Sequence, residues 1–151
     1  MSNKTLSIQA IEFGTVVDHI EAGKGAEILK LLGEYIEGVP TTVGFNLPTQ
    51  SGYLKDLIKL EGVILSEDVA DCISLLSPGA TINIIEDFKV GQKRSLGVPS
   101  QIKGAFDCLN SNCISHNEPV MSRFNVLADE GDIKLRCHYC EKSFSRDLVA
   151  V

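Results

Sequence analysis

Four of the five cysteines fall in two short pairs, Cys108-Leu-Asn-Ser-Asn-Cys113 and Cys137-His-Tyr-Cys140. A segment of 23 residues separates the pairs. Each pair is a tight loop able to aim two sulfurs at one point. Two such loops facing each other make a tetrahedral thiolate cage, the geometry of a structural zinc site. Four protein ligands leave no coordination position for water or substrate. The expected role of one Zn2+ held by Cys108, Cys113, Cys137 and Cys140 is therefore to hold the fold, not to perform chemistry.

Other uses of these cysteines fit less well. Two disulfides would need an oxidising compartment, but no apolar stretch follows Met1 and Cys72 is left over, so reducing conditions are expected. A redox pair at Cys137 and Cys140 lacks the strand-to-helix setting of such motifs. His116 or His138 could replace a cysteine as ligand, though four cysteines at workable spacing make that unnecessary.

Signs of an enzyme are scarce. The sequence has no Walker motif, no glycine-rich dinucleotide fingerprint and no His-Glu-x-x-His helix. Asp18-His19 is the one adjacent acid and imidazole, and strand neighbours point to opposite faces, so the two need not meet. Lys55 and Lys59 share a strand face by period two, with Lys93 and Arg94 shortly after the last strand of the same region. Converging cations of this kind suit a compact polyphosphate. Taken alone, they read better as exposed lysines on a solvated face, since surface lysine is the norm.

The elements that would position these groups follow from periodicity. Leu6–Phe13 and Thr15–Ile20 read as strands. From Ala26 a helix carries Ile28, Leu31, Leu32, Tyr35 and Ile36 on one stripe, weakened by Gly33. Thr41–Leu47 alternates with Val43, Phe45 and Leu47 on one face; Leu54–Glu61 fits strand or helix by pattern, and its short length between turn signals favours a strand. Ser66, followed by Glu67 and Asp68, caps a helix whose stripe is Val69, Cys72, Ile73 and Leu76. Cys72 is thus a buried small apolar residue. Ala80–Ile85 is a strand and Phe88–Val90 a short one. The expected fold is α+β: a sheet of about five strands with both helices on one face. After a linker at 95–101 comes a small β-rich, zinc-ribbon-like domain with strands at 124–128 and 133–136. The domains divide as 1–97 and 98–151. The second is small enough for zinc to supply much of its folding free energy.

The chain has 151 residues, 44% of them hydrophobic, and a net charge of −6. Through residue 98 there are 8 basic and 13 acidic side chains, and from 99 onward 6 and 7. Without a basic run the chain is poorly suited to nucleic acid or to an anionic membrane surface. No apolar run approaches transmembrane length. A cytoplasmic location is expected.

Several ordered segments resemble the regulatory chain of aspartate carbamoyltransferase: Gly14–Ile20, Asn46–Pro48, Lys55–Lys59, Leu65–Asp68, Ala80–Asn83, Cys108–His116 and Tyr139–Lys142. The resemblance implies a chain without an active site. Its N-terminal domain would pair with a second regulatory chain and bind CTP as inhibitor and ATP as activator, with UTP a further candidate. Its zinc domain would dock on the catalytic chain in pyrimidine biosynthesis. By matching position, Ile8, Gln9, Ala10 and Ile11 would lie near the base, and Asp18 and His19 by the ribose and phosphates. Lys55, Lys59 and Lys93 would add polar contacts, and Asn83, Ile85, Phe88 and Val90 would complete the cleft. Asn110, Asn112, Tyr139, Glu141 and Lys142 would lie near the catalytic-chain contact. Gln9 and Phe88 stand where relatives have Glu and Tyr, which bears on base selectivity.

Two other classes make distinct demands on the sequence. A zinc-ribbon nucleic-acid-binding or scaffold protein would need a basic, aromatic face on the zinc module. A metal-dependent enzyme would need an open coordination position.

Overall fold

The computed structural model describes residues 10–95, 97–129 and 132–146. The chain divides into two compact units, Met1–Leu65 with Gly79–Ser95, and Ser66–Pro78 with Leu96–Val151.

Unit 1 is built on a five-stranded antiparallel sheet. Its strands are β1 (Gly14–Glu21), β2 (Thr41–Pro48), β3 (Leu54–Glu61), β4 (Thr81–Glu86) and β5 (Lys89–Ser95), in spatial order β2-β3-β1-β4-β5. The expected strand at 6–13 lies partly outside the described residues, and its described part, 10–13, is not strand. β5 supplies the fifth strand and runs past the short stretch expected at 88–90. The central strands alternate: Val17, Ile58 and Leu60 are fully buried on one face, while Val16 and Leu57 turn to the other.

The first helix, α1 (Gly25–Leu31), stops earlier than its apolar stripe suggests. Leu32 still closes on Ile28, but residues 32–38 form turns and Tyr35 is exposed. No side chain of the helix caps its start. The cap comes from β3 instead: the buried Asp56 carboxylate accepts the N–H groups of Gly23 at 3.1 Å and Gly25 at 2.9 Å through Oδ2, and that of Asn46 at 2.8 Å through Oδ1. Any Cβ on Gly25 would stand 2.7 Å from that Oδ2, so glycine is what lets the backbone approach.

β2 departs from strict alternation. Its register against β3 shifts between Gly44 and Leu47, with Asn46 at a left-handed φ of 56°. The bulge splits the face expected to carry Val43, Phe45 and Leu47. Val43 pairs with the buried Ile58, whereas Leu47 packs on the opposite face against Ile11, Val16, Leu57 and Ile85.

Unit 2 combines helix α2 (Glu67–Leu76) with a second sheet of order β6-β7-β8-β9, formed by Gln101–Lys103, Arg123–Asp129, Asp132–Cys137 and Ser143–Ser145. Ser66 caps α2, its Oγ accepting the Val69 N–H, and Glu67 and Asp68 stand at the positive end of the dipole. At the other end Arg146 donates to the Leu75 carbonyl at 3.3 Å. Cys72 is 3% exposed, and burial together with Asp71 and Asp68 pushes its thiol up to about 12. It is therefore a packing residue with almost no thiolate at neutral pH. In β8 the alternation is complete: Ile133, Leu135 and Cys137 point inward. With Ile102 and Phe124 they make a core small enough that cross-links matter.

Candidate functional site

Two clusters of chemically capable residues emerge, one on each unit. On unit 1, strand register brings distant residues into one rank. Lys59 pairs with Val16, Val16 with Asn83, and Asn83 with Lys93, so residues of β3, β1, β4 and β5 lie side by side on one face. The next rank pairs Gly14 with Ile85 and Ile85 with Val90. Ile11, Val16, Leu57 and Ile85 form a small apolar cluster on this face. An apolar floor with ammonium groups beside it can take a flat ring and an anionic tail.

Asp18 and His19 meet in a way strand alternation does not foresee. The register of β1 against β3 shifts between Val17 and Ile20, and His19 adopts a left-handed φ of 55°. Its N–H donates to Asp18 Oδ1 at 2.7 Å, and its ring Nδ1 lies 3.7 Å from Asp18 Oδ2 and 3.4 Å from Thr81 Oγ1. The bulge thus lets two consecutive residues serve one place. Lys55 Nζ reaches Asp18 Oδ1 at 2.9 Å. Burial pushes the Asp18 carboxyl up, but the Lys55 and His19 hydrogen bonds and charges outweigh it and hold it below its ordinary value. Burial lowers Lys59, with the Asp18 charge opposing. A partly desolvated ammonium has more to gain from an anionic ligand than a fully hydrated one.

The remaining residues of the implied cleft are placed unevenly. Ala10 and Phe88 are exposed, and Phe88 sits at φ 64° in the β4–β5 turn, its N–H donating to the Glu12 carbonyl. Ile8 and Gln9 lie outside the described residues. Val16, Leu57 and Thr81 were not singled out from sequence. The first two were legible as period-two partners of Asp18 and Lys59; Thr81 became a neighbour of His19 only through the bulge.

On unit 2 the sulfurs of Cys108, Cys113, Cys137 and Cys140 all lie within 4.8 Å of one another. Cys108 and Cys140 are 3.7 Å apart, as are Cys113 and Cys137, and all four are free thiols. Each loop closes on itself, Cys113 N–H donating to the Asn110 carbonyl and Glu141 N–H to the Cys137 carbonyl. Glu141 takes a left-handed φ of 63° to do so. Burial pushes the Cys108 thiol up to about 12, while the Ser115 hydroxyl beside Cys113 brings that thiol down to about 6. Four sulfurs this close repel as thiolates unless a cation sits among them, so the donor set fits a metal ion.

Neither histidine enters the cage. His116 Nε2 lies 2.9 Å from the Cys108 carbonyl oxygen, and His138 packs edge-on against Tyr139 at 5.2 Å between centroids. Asn112, Glu141 and Lys142 are exposed and Asn110 and Tyr139 half-buried around the cage. Tyr139 donates its hydroxyl to the Met121 carbonyl at 2.9 Å.

Residues 6–97 match the family described as the allosteric domain of the aspartate carbamoyltransferase regulatory chain, and residues 100–150 match its metal binding domain. The chain is similar to the aspartate carbamoyltransferase regulatory chain of Neisseria meningitidis serogroup A, 50% identical over 99% of each chain. That of Tolumonas auensis is 51% identical over 97% of this chain and 96% of its own length. That of a Vibrio species is 46% identical over 99% and 97%. Both domains and nearly the whole length are shared, so the chain belongs to the family of aspartate carbamoyltransferase regulatory chains: a non-catalytic subunit with an allosteric domain, a metal-binding domain and a catalytic chain as partner.

Proposed function

We propose that the chain senses nucleotides for its catalytic partner, binding CTP as inhibitor and ATP as activator on the open face of the unit 1 sheet, with UTP as a further ligand. The observation that carries this reading is the rank Lys59–Val16–Asn83–Lys93, with Lys55, Asp18 and His19 on the neighbouring stretch of β3 and β1. The base lies against Ile11, Val16 and Ile85, bordered by Ala10, Phe88 and Val90, and the resemblance adds Ile8 and Gln9 to its contacts. Lysine ammonium groups neutralise the triphosphate. Nucleotide binding belongs to residues 1–97, and metal binding and docking to 98–151.

The metal is Zn2+. With Zn–S bonds of about 2.3 Å, a regular tetrahedron has edges of about 3.8 Å, and two sulfur pairs here stand 3.7 Å apart. One ion per chain, held by four cysteines, is structural. Asn110, Asn112, Tyr139, Glu141 and Lys142 ride on the cysteine loops and form the catalytic-chain contact, so the ion organises the docking surface. A second regulatory chain pairs with unit 1. The exposed Phe45, Tyr53 and Leu54 at the β2 end of the sheet support that contact. No helix among the described residues is long and apolar enough to cross a membrane. The assembly works in the cytoplasm, where its nucleotides are.

CTP and ATP compete for the same cations. Their opposite effects then arise from different affinities for two states of the holoenzyme, and each nucleotide's binding is coupled reciprocally to substrate binding. Calorimetric titration of CTP into the zinc-loaded chain tests the site. Saturable binding lost in Lys59→Ala is expected, and binding unaffected by that change would move the site elsewhere.

A further inference from the structure

The cage places four sulfurs in surroundings where water reaches them poorly. Cys113 and Cys137 are each 1% exposed and Cys108 is 5% exposed. Four thiolates around a dication carry surplus negative charge, which donors from the chain itself must meet. The Asn110 side chain meets Cys140, and backbone N–H groups meet the rest: Asn110 on Cys108, Tyr139 and Cys140 on Cys137, Lys142 on Cys140, and Ser115 on Cys113. Such N–H donors follow from the turn geometry and would survive a change of side chain.

Cys113 receives something more. The Ser115 hydroxyl oxygen lies 3.1 Å from Cys113 Sγ and donates to it. The contact is built by the turn that follows the ligand. Cys113 is the N-cap of the 3-10 turn Ile114–His116, and the His116 N–H closes back on the Cys113 carbonyl at 3.1 Å. That closure brings the half-buried Ser115 side chain under the sulfur and sends the His116 ring to the carbonyl of Cys108. One turn therefore braces both cysteines of the first loop, Ser115 at the sulfur of Cys113 and His116 at the carbonyl of Cys108.

We propose that Ser115 is a positioning residue for the metal. Its O–H donates to the Cys113 thiolate, spreads the charge of that sulfur and holds it at its coordination angle, and so governs how tightly the chain retains its ion. A hydroxyl at this place does what a backbone N–H cannot, because it adds a donor without altering the loop. The inference rests on the metal reading of the four cysteines.

The test uses the full chain loaded with Zn2+ and challenged with a chromophoric chelator, in the wild type and in Ser115→Ala, Ser115→Thr and Ser115→Val. Threonine and valine have nearly the same shape and differ in the donor. Outer-shell changes typically weaken metal binding by about 10-fold or more. A loss of that size is expected in the alanine and valine variants and not in threonine. A second readout replaces zinc with Co2+. Loss of the donor leaves the thiolate more electron-rich, so the sulfur-to-cobalt charge-transfer band moves to lower energy in alanine and valine and stays in place in threonine. An alanine or valine chain that takes up no metal, while threonine loads normally, supports the proposal. Equal retention and an unmoved band in all variants would overturn it while leaving the metal reading intact. A wild-type chain that takes up no metal would overturn both.

Discussion

Lys55 Nζ lies 2.9 Å from Asp18 Oδ1, so a cation and a carboxylate of the proposed nucleotide face are paired with each other. The pairing leaves Asp18 more acidic in the folded chain than its ordinary value of 3.8. A carboxyl depressed by folding contributes stability that is fully present above its unfolded value and is lost as pH falls through the folded one. The melting-temperature difference between wild type and Asp18→Asn should therefore be constant from pH 6 to about 5 and shrink below about 4. Thermal melts across that range check it. A difference independent of pH would show that the carboxylate is not held by its partners.

Lys59→Ala should weaken CTP and ATP together. A hydrogen bond to a charged group contributes about 1.5–3 kcal/mol, so each affinity should fall about 10-fold or more. Paired calorimetric titrations decide. A loss confined to one nucleotide would mean that Lys59 reads the base and not the phosphates.

Asp56→Ala should be among the most destabilising single changes in unit 1. It strips one acceptor group from three backbone N–H groups, at Gly23, Gly25 and Asn46, and leaves a buried gap. Unsatisfied buried donors cost about 1–3 kcal/mol each, so a loss of at least about 3 kcal/mol is expected. Urea unfolding measures it. A midpoint close to wild type would show that water replaces the carboxylate.

Cys140→Ala should cost the metal and the folded state of the second sheet. Hydrogen exchange would then show β7 and β8 unprotected while β1 and β3 keep their protection, and assembly with the catalytic chain would be lost. Protection of β8 in metal-free protein would show that the core around Phe124 and Leu135 holds without the ion.

Regular features were legible before the structure. Ser66 with Glu67 and Asp68 announces α2, and the turn signals at both ends of the short run from Leu54 to Glu61 announce β3. Cysteine spacing alone announces the cage. The irregular features were not. His19 and Asn46 adopt left-handed φ without being glycine, so nothing in the composition marks the two bulges. Those bulges bring His19 onto Asp18 and send Leu47 to the opposite face from Val43. Asp56 was hidden for a related reason. A charged residue in an alternating strand reads as solvent-facing, and only the fold reveals three backbone donors waiting for it. Ser115 was invisible because a serine near a cysteine is common, and its role depends on a turn of three residues.

Helix α2 lies between β3 and β4 in the chain yet belongs with the cysteine-bearing sheet. The backbone accordingly passes from one unit to the other three times, near residues 65, 78 and 95. A contiguous C-terminal fragment would carry the cage but not the helix whose Leu75 carbonyl receives Arg146. The metal-binding unit is therefore not a cassette that a single crossover could graft onto another allosteric domain. Exchange between relatives would have to swap both stretches together, so the allosteric and metal-binding domains inherit each other's changes.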